Sequence, residues 1–412
     1  MPFGFYIIMA AQFFSALADN ALLIIAIAIL RDLAAPSAFE PLLKTFFTIS
    51  YVLLAAFVGA FADSMPKGRV MFISNAIKIV GCFLMLFAIH PIVAYAIVGL
   101  GAAAYSPAKY GILTEYLEHK LLVIANGWIE GLTVAAIILG VVLGGVLIDS
   151  AYQHTILKLG LGLSDSPTHI ALFVVGFLYF LAALFNCFVP KTHAPILPMN
   201  WNPCTTLSCF AQCLKALWKD RLGQISLAVT TLFWGAAAVL QFIVIHWADE
   251  ALNLGLAQSS KLQGVVAIGI AIGSVAAAKW VSLKKSVLVI PLGIVVGFLV
   301  IAMNFVQSLM LSVCLLILIG ALSGFFVVPM NALLQHRGHM LMGAGSSIAV
   351  QNFNENLSIL VMTIVYFFML QNDISIYAVI TCFGLLTSIF MCLVWWRHHW
   401  NEKHHQDVEK ML

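Results

Sequence analysis

The sequence predicts an all-α membrane protein of twelve transmembrane helices, arranged as two similar six-helix halves. The 412 residues are 62% hydrophobic and 9% charged, whereas soluble domains are about 45–50% apolar and about 25% charged. A chain with so few charges cannot cover a surface that faces water, so we expect lipid around most of it. Twelve long apolar runs and a motif that occurs once in each half complete the prediction.

Each apolar run is about 20 residues long, which as a helix crosses about 30 Å of hydrocarbon. Short polar breaks separate the runs, and we place the spans near 5–30, 45–62, 69–89, 91–113, 121–148, 169–190, 224–247, 260–282, 286–306, 308–334, 343–370 and 374–396. No Lys or Arg precedes Arg31, and no small-residue cleavage site follows the first run. We therefore expect that run to be a full span rather than a cleavable signal peptide.

The longest polar break divides the spans into two sets of six. We expect an N-terminal six-helix bundle, a cytoplasmic linker with an amphipathic helix, a C-terminal six-helix bundle and a cytoplasmic tail, over 1–190, 191–223, 224–397 and 398–412. Apolar linker residues recur at helical spacing beside Lys215 and Lys219; they are Leu207, Phe210, Leu214, Leu217 and Trp218. This pattern indicates a helix that lies on the inner leaflet or, equally, one that packs on the bundle.

The basic residues orient the chain in the membrane. With both termini inside, fourteen of the twenty Lys and Arg residues are cytoplasmic, and four fall outside: Arg31, Lys44, Lys158 and Lys261. Basic residues concentrate in cytoplasmic loops of membrane proteins. We therefore expect both termini in the cytoplasm.

The two halves contain a similar segment. Residues 101–113 read GAAAYSPAKYGIL and residues 324–335 read GFFVVPMNALLQ, so that Pro107 corresponds to Pro329. Glu130 and Glu355 then occupy equivalent positions on the next span of each half. Parallel repeats of six helices are typical of transporters that bind their substrate between the halves, and we expect a pseudo-twofold axis along the membrane normal.

The loop between the second and third spans reads GAFADSMPKGR over residues 59–69. It resembles the signature loop of the major facilitator superfamily. An acid near a helix N-terminus interacts favourably with the helix dipole, and such a contact can hold one face of a transporter shut. The gating candidates are Gly59, Asp63, Lys67 and Arg69. In the alternative interpretation, Lys67 and Arg69 only set the topology.

Five ionisable residues lie within the spans: Asp19, Lys78, Lys109, Glu130 and Glu355. Each costs roughly 2.5–3.5 kcal/mol in hydrocarbon on insertion scales, so each should face a cavity or a charged partner. For Lys78, near the cytoplasmic end of the third span, we expect a side chain that snorkels to the interface and has a structural role. The predicted substrate-binding residues are Asp19, Asn20, Lys109, Glu130, Gln241, Asn331, Gln351 and Glu355.

This set of side chains suits a substrate that carries both charges. A phosphate would bind Lys109, and an ammonium would bind Asp19, Glu130 or Glu355. Buried carboxylates also serve proton-coupled transporters, and a structural ion pair is the alternative for each single residue. The residues alone therefore do not name the substrate.

Several other classes of function are excluded or disfavoured. A net charge of +3 that is spread between loops gives no nucleic-acid site. We interpret the eight cysteines as buried small residues and the HHWNEKHH segment, 398–405, as a solvated tail, so we expect no disulfide, metal or cofactor. None of the twelve histidines has an Asp five residues on, which disfavours an acyltransferase enzyme.

Seven stretches together resemble the bacterial lysophospholipid transporter family of the major facilitator superfamily. They are AQFFSALADNALL (11–23), FVGAFADSMPKGRVM (57–71), VGLGAAAYSPAKYGIL (98–113), LFWGA (232–236), VAIGIAIG (266–273), GFFVVPMNALLQ (324–335) and VQNFNEN (350–356). The resemblance implies inward flipping of lyso-phosphatidylethanolamine and lyso-phosphatidylglycerol across the bacterial inner membrane. It also implies an acyl-ACP synthetase/acyltransferase partner that reacylates them, and we expect the transporter to be a monomer.

By motif position, Asp19, Lys109 and Glu355 match charged residues that this family uses for transport. The chain has Gln241 where the resemblance implies Arg, which removes one phosphate contact. The alternative function is a proton-coupled antiporter of drugs or small metabolites, since Asp19, Glu130 and Glu355 can each carry a proton.

Overall fold

The computed structural model describes residues 1–34, 39–148, 166–192, 194–196, 202–254 and 256–404. Side chains at 31, 39–41, 130 and 256–261 lie outside that description. Within these ranges the chain is α-helical, with short 3₁₀ turns and no strand. The helices are α1 (Phe3–Asp32), α2 (Phe39–Leu53), α3 (Ala55–Asp63), α4 (Lys67–Leu86), α5 (Pro91–Tyr116), α6 (Leu122–Ile148), α7 (Pro167–Cys187), α8 (Pro203–Lys219), α9 (Gly223–Leu252), α10 (Leu256–Trp280), α11 (Ile290–Ala302), α12 (Leu309–Met342), α13 (Ala344–Gln371) and α14 (Ile376–His404).

The predicted transmembrane spans are confirmed in number and position. Eleven of the described segments are long and apolar enough to cross a bilayer, and the bent pair α2 and α3 makes a twelfth. The predicted second span, 45–62, is therefore broken: its two helices meet at Leu54 with a bend of 63°. Leu54 has φ −102° and ψ 2°, a conformation outside the α-helical region.

The tenth span is longer than the sequence predicts. The prediction ended it at residue 334 because a charged residue, Arg337, follows. Instead α12 continues to Met342 and ends before Gly343, which has φ 90°. Arginine is among the better helix formers, so Arg337 does not end the helix. Its guanidinium binds the Asp220 carboxylate through two nitrogens, at 3.1 and 2.6 Å.

The described chain forms two compact units. The first comprises Met1–Tyr116, Ala135–Phe210 and Gly343–Val350. The second comprises Leu117–Val134, Ala211–Met342 and Gln351–Leu412. The core of the first unit is built from α1, α4, α5 and α7, with Leu22, Ile25, Val98 and Tyr179 fully buried.

In the second unit, α10 and α12 approach each other through two pairs of glycines. Gly269 and Gly273 lie one turn apart on α10, and Gly320 and Gly324 lie one turn apart on α12. A Cβ atom added to Gly273 would collide with the backbone carbonyl of Ala321, and one at Gly324 with that of Ile270. Small residues at this spacing let two membrane helices pack backbone against backbone.

The predicted amphipathic linker helix is present as α8. In the part of α8 that belongs to the second unit, Leu217 is fully buried and Trp218 Nε1 donates to Asn354 Oδ1 at 3.3 Å. The end of α8 therefore packs on protein. In the first unit, Leu207 is exposed, and contact of α8 with the leaflet stays a prediction.

Candidate functional site

The acid of the signature loop caps a helix that is far away in the sequence. Asp63, at the end of α3, is 8% exposed and accepts hydrogen bonds at the start of α13. The backbone N–H groups of Gly345 and Ser346 donate to its two oxygens at 2.8 Å each, and the Ser346 hydroxyl donates at 2.9 Å. The first N–H groups of a helix have no partner inside it, so a carboxylate there satisfies them and interacts with the dipole. The expected contact between this acid and a helix N-terminus is therefore present.

Lys67 links this cap to a second carboxylate. Its Nζ lies 2.7 Å from Asp63 Oδ1 and 3.3 Å from Glu115 Oε1, and it also donates to the Ala62 carbonyl at 2.7 Å. Lys67 is 5% exposed, and its gating role stays a prediction. The Thr192 hydroxyl donates to the other Glu115 oxygen at 2.7 Å. Sequence reasoning missed Glu115, which follows the SPAKYGIL segment by two residues.

Gly59 and Arg69 occupy contrasting positions. A Cβ atom at Gly59 would lie 2.7 Å from the Ala349 Cβ and 3.3 Å from the Ser346 Cα, so glycine is needed for the close approach of α3 to the start of α13. Arg69 is exposed, on the first turn of α4. Of the four gating candidates, three are thus brought together at one contact.

Asp19 lies in a buried polar cluster of the first unit. Lys78 Nζ is 2.7 Å from Asp19 Oδ2, and the Tyr179 hydroxyl donates to Asp19 Oδ1 at 2.7 Å. Lys78 also donates to Ser15 Oγ at 3.0 Å, and Ser15 donates to Asn75 Oδ1 at 2.8 Å. The prediction that Lys78 snorkels to the interface is wrong, because the residue is 1% exposed and its ammonium is paired inside the bundle.

The other two candidates of the first unit are less enclosed. Lys109 is half-buried on α5, with Nζ 4.1 Å from the centre of the Tyr110 ring, within the range of a cation–π contact. Asn20 is half-buried beside Asp19 and donates to the Ala16 carbonyl of its own helix at 2.8 Å. The side chain of Glu130 lies outside the described residues.

Three candidates of the second unit form a single network. Gln351 Nε2 donates to Asn331 Oδ1 at 3.1 Å and to Glu355 Oε1 at 2.8 Å. All three side chains are buried, with Glu355 7% exposed. An amide that bridges an acid and a second amide fixes the orientation of the carboxylate. These three predicted residues therefore form one cluster on α12 and α13, while the equivalence of Glu130 and Glu355 stays a prediction.

Gln241 lies apart from that network. It is exposed on α9, and Gln241 Nε2 donates to Gln263 Oε1 at 3.2 Å, while Gln263 Nε2 donates to the Gln241 carbonyl at 2.9 Å. The position implied to hold a cation in the family thus holds a neutral amide pair here.

A second buried contact of the second unit was not predicted. Asn126 and Gln335 exchange two amide hydrogen bonds at 2.9 Å each, and both are almost fully buried. Nearby on α6, a Cβ atom at Gly127 would lie 2.7 Å from the Ala278 Cβ. Asn126 lies four residues before Glu130 and Gln335 ends the 324–335 segment, so the sequence around the repeat could have indicated them.

One group among the described residues has the spacing of a metal site. The ligand atoms of His398, His399 and Glu402 lie within 4.8 Å of one another on the last turns of α14. His399 and Glu402 are exposed, but His398 is 4% exposed and Asn401 1% exposed, so this end of α14 is partly buried and not the solvated tail that we expected. The absence of a metal stays a prediction. The thiols differ from expectation: Cys82 is buried and Cys213 half-buried, but six are exposed, namely Cys187, Cys204, Cys209, Cys314, Cys382 and Cys392.

The chain matches a known family over most of its length. Residues 8–363 match the family model of the Major Facilitator Superfamily. Among solved structures, the fold is similar to the transporter FucP in its outward conformation, with TM-score 0.73, 14% identity, and 96% of this chain and 98% of that one covered. It is also similar to a bacterial homologue of the iron transporter ferroportin, with TM-score 0.68 and 13% identity over 95% of this chain and 99% of the other. The protein is thus a multi-pass membrane transporter of the major facilitator class, not an enzyme.

Curated relatives define its place more narrowly. The lysophospholipid transporter LplT of Yersinia enterocolitica serotype O:8 / biotype 1B is 43% identical over 361 residues, 87% of this chain and 85% of the relative. The LplT of Yersinia pestis, strain Pestoides F, is 41% identical over 360 residues with the same coverage. The chain belongs to the family of these LplT proteins within the major facilitator superfamily.

Proposed function

We propose that the chain is a lysophospholipid transporter that moves lyso-phosphatidylethanolamine and lyso-phosphatidylglycerol from the outer to the inner leaflet of a bacterial inner membrane. The observation that carries this proposal is the 43% identity, over 87% of the chain, to a protein named a lysophospholipid transporter. In this proposal both termini are cytoplasmic, the transporter acts as a monomer, and an acyl-ACP synthetase/acyltransferase reacylates the product on the cytoplasmic side.

The headgroup has a phosphodiester in both substrates and an added ammonium in one of them. Lys109 is the proposed partner of the phosphodiester, because it is half-buried and its ammonium offers three hydrogen-bond donors. Asp19, Glu130 or Glu355 is the proposed partner of the ammonium. The remaining polar contacts come from Asn20, Gln241, Asn331 and Gln351.

The Glu355 network supports a binding role more than a packing role. Glu355 and Asn331 are joined through the Gln351 side-chain nitrogen, and the single side-chain oxygen of Gln351, Oε1, is buried without a hydrogen-bond partner among the described residues. A purely structural network usually satisfies all of its buried polar atoms. An acceptor left over beside a carboxylate suits a ligand that donates, such as an ammonium.

For the gating residues we propose a contact that forms and breaks during transport. Gly59 permits close approach, Asp63 caps α13, and Lys67 holds Asp63 in place while it also binds Glu115. Arg69, exposed on the first turn of α4, contributes positive charge at the same end. Hydrogen bonds at a helix end can be exchanged for water, which makes such a contact reversible.

The test is uptake of labelled lysolipid into spheroplasts that express the full chain, in a host without its own lysolipid transporter. We expect both lysolipids to enter at initial rates well above those of the empty host, and uptake to persist when an uncoupler collapses the proton gradient. Uptake of neither lysolipid, while the protein is present in the membrane, would contradict the proposal. If uptake occurs without the uncoupler but is lost when the uncoupler is added, a proton-coupled mechanism, in which Asp19 and Glu355 carry protons, would be favoured instead.

A further inference from the structure

Lys78 has no role in the proposed function, yet it is the most deeply buried lysine of the described first unit. Its side chain is 2% exposed, whereas its partner Asp19 retains 19% exposure. Asp19 is therefore the member of the pair that a substrate can reach. Lys78 lies behind it, on α4.

The surroundings hold the pair in one arrangement. The Tyr179 hydroxyl donates to the Asp19 oxygen that Lys78 does not bind, and Ser15 accepts from Lys78. The rings of Tyr105 and Tyr179 lie 5.1 and 5.7 Å from Lys78 Nζ, so their faces stabilise the ammonium further. In the described structure, Asp19 is the one carboxylate within ion-pair distance of Lys78.

Two other features indicate that the cluster is more than a packing element. The Nδ2 of Asn75 and the hydroxyl of Tyr105 are buried and have no hydrogen-bond partner among the described residues. Buried polar atoms left without a partner are rare and frequently mark a functional position. An ion pair that only stabilised the fold would also gain little, because desolvation offsets most of the attraction.

We propose that Lys78 is a specificity-determining residue, which neutralises Asp19 so that the site accepts zwitterionic and anionic lysolipid headgroups alike. This inference rests on the proposed function. A lone Asp19 carboxylate would repel the phosphodiester of every substrate, but the ammonium of lyso-phosphatidylethanolamine would offset that repulsion. Lyso-phosphatidylglycerol has no ammonium and would be rejected. Lys78 makes the pair with Asp19 neutral and so removes the difference in electrostatic energy between the two lysolipids.

The test compares the two substrates in the same cells. Initial rates for lyso-phosphatidylethanolamine and lyso-phosphatidylglycerol are measured over a range of concentrations, and their kcat/KM values are expressed as a ratio, which does not depend on the amount of protein. Lys78→Met should raise the ratio about tenfold in favour of the zwitterion, and Asp19→Asn should lower it about tenfold, as expected for one uncompensated charge close to the phosphate. The double variant Asp19→Asn/Lys78→Met should return the ratio to that of the wild type.

A matched control removes the same charge elsewhere. Lys120 forms an exposed pair with Glu118, with 70% of its side chain accessible, and Lys120→Met should leave the ratio unchanged. If both single variants lower kcat/KM for the two lysolipids by the same factor, the pair serves packing and the inference is wrong. The same conclusion follows if both single variants lose all uptake and the double variant restores it. If the wild type transports neither lysolipid, it is the proposed function that fails.

Discussion

Asp63→Ala is the substitution whose effect the structure defines most fully. It removes three hydrogen bonds to the start of α13 and leaves the N–H groups of Gly345 and Ser346 without their acceptor. Loss of an N-terminal cap costs about 0.5–2 kcal/mol, and loss of a charge at the helix dipole about 0.3–1 kcal/mol. Lys67 keeps Glu115 as a partner, so its charge is still compensated. With a further ~1 kcal/mol for a buried unsatisfied donor, the state with α13 docked on α3 should lose about 2–4 kcal/mol, or about 30- to 700-fold in population.

Two measurements follow the same variant. Lysolipid uptake should fall about tenfold or more, because a transporter that rarely adopts one of its states completes few cycles. Undocking is measured directly by a thiol at position 344. Ala344 is 3% exposed beside Gly111, so Ala344→Cys in a cysteine-free background should react slowly with a maleimide, and at least tenfold faster when Asp63→Ala is added.

Glu118→Ala is the matched control, since this acid is 67% exposed and pairs only with Lys120 among the described residues. It should change neither uptake nor labelling. The reasoning would be refuted by an Asp63→Ala variant with wild-type uptake and unchanged labelling of Cys at 344, because three buried hydrogen bonds would then contribute nothing to the balance of states.

Three other expectations concern binding and packing. Lys109→Ala should abolish lysolipid uptake and Lys109→Arg should keep part of it, since arginine retains the charge in a different geometry; equal loss would exclude a role for charge. Deacylated glycerophosphodiesters should compete poorly with lysolipid, because each acyl methylene contributes about 0.8 kcal/mol of burial; competition as strong as that of lysolipid would contradict a tail-dependent site. Gly273→Ala should lower the unfolding temperature in detergent, whereas Gly264→Ala on the same helix, where a Cβ meets nothing within 4 Å, should not; equal melting curves would contradict the close α10–α12 packing.

The spans were predictable because the bilayer imposes one length and one polarity on every crossing segment. The error over Lys78 arose from a partner distant in sequence. Lys78 looked like a snorkelling residue because its own helix offers no acid, and Asp19 is 59 positions away on α1. Arg337 likewise pairs with an acid far away in the sequence, Asp220, in the part of α12 that extends beyond the predicted span.

In the candidate site, too, the sequence predicted the important residues but not their distant partners. The signature loop predicted that Asp63 would lie at a helix N-terminus, but not that the helix would be α13, 282 residues further along. The repeat predicted the importance of Glu355, whereas its amide bridge to Asn331 depends on how α12 and α13 pack. The sequence therefore identifies the ionisable side chains that are costly to bury in a membrane. Only the packing of the helices shows which partners compensate their charges.

The glycine pairs of α10 and α12 have a practical consequence for measuring motion in this transporter. Two helices in backbone contact along two turns would lose roughly a quarter to a half of their van der Waals attraction if they separated by about 0.5–1 Å. The two helices should therefore move together as one rigid unit at every stage of the transport cycle. Spin labels placed one on each helix would then report a constant separation, and this pair supplies an internal ruler against which the displacement of any other segment can be calibrated.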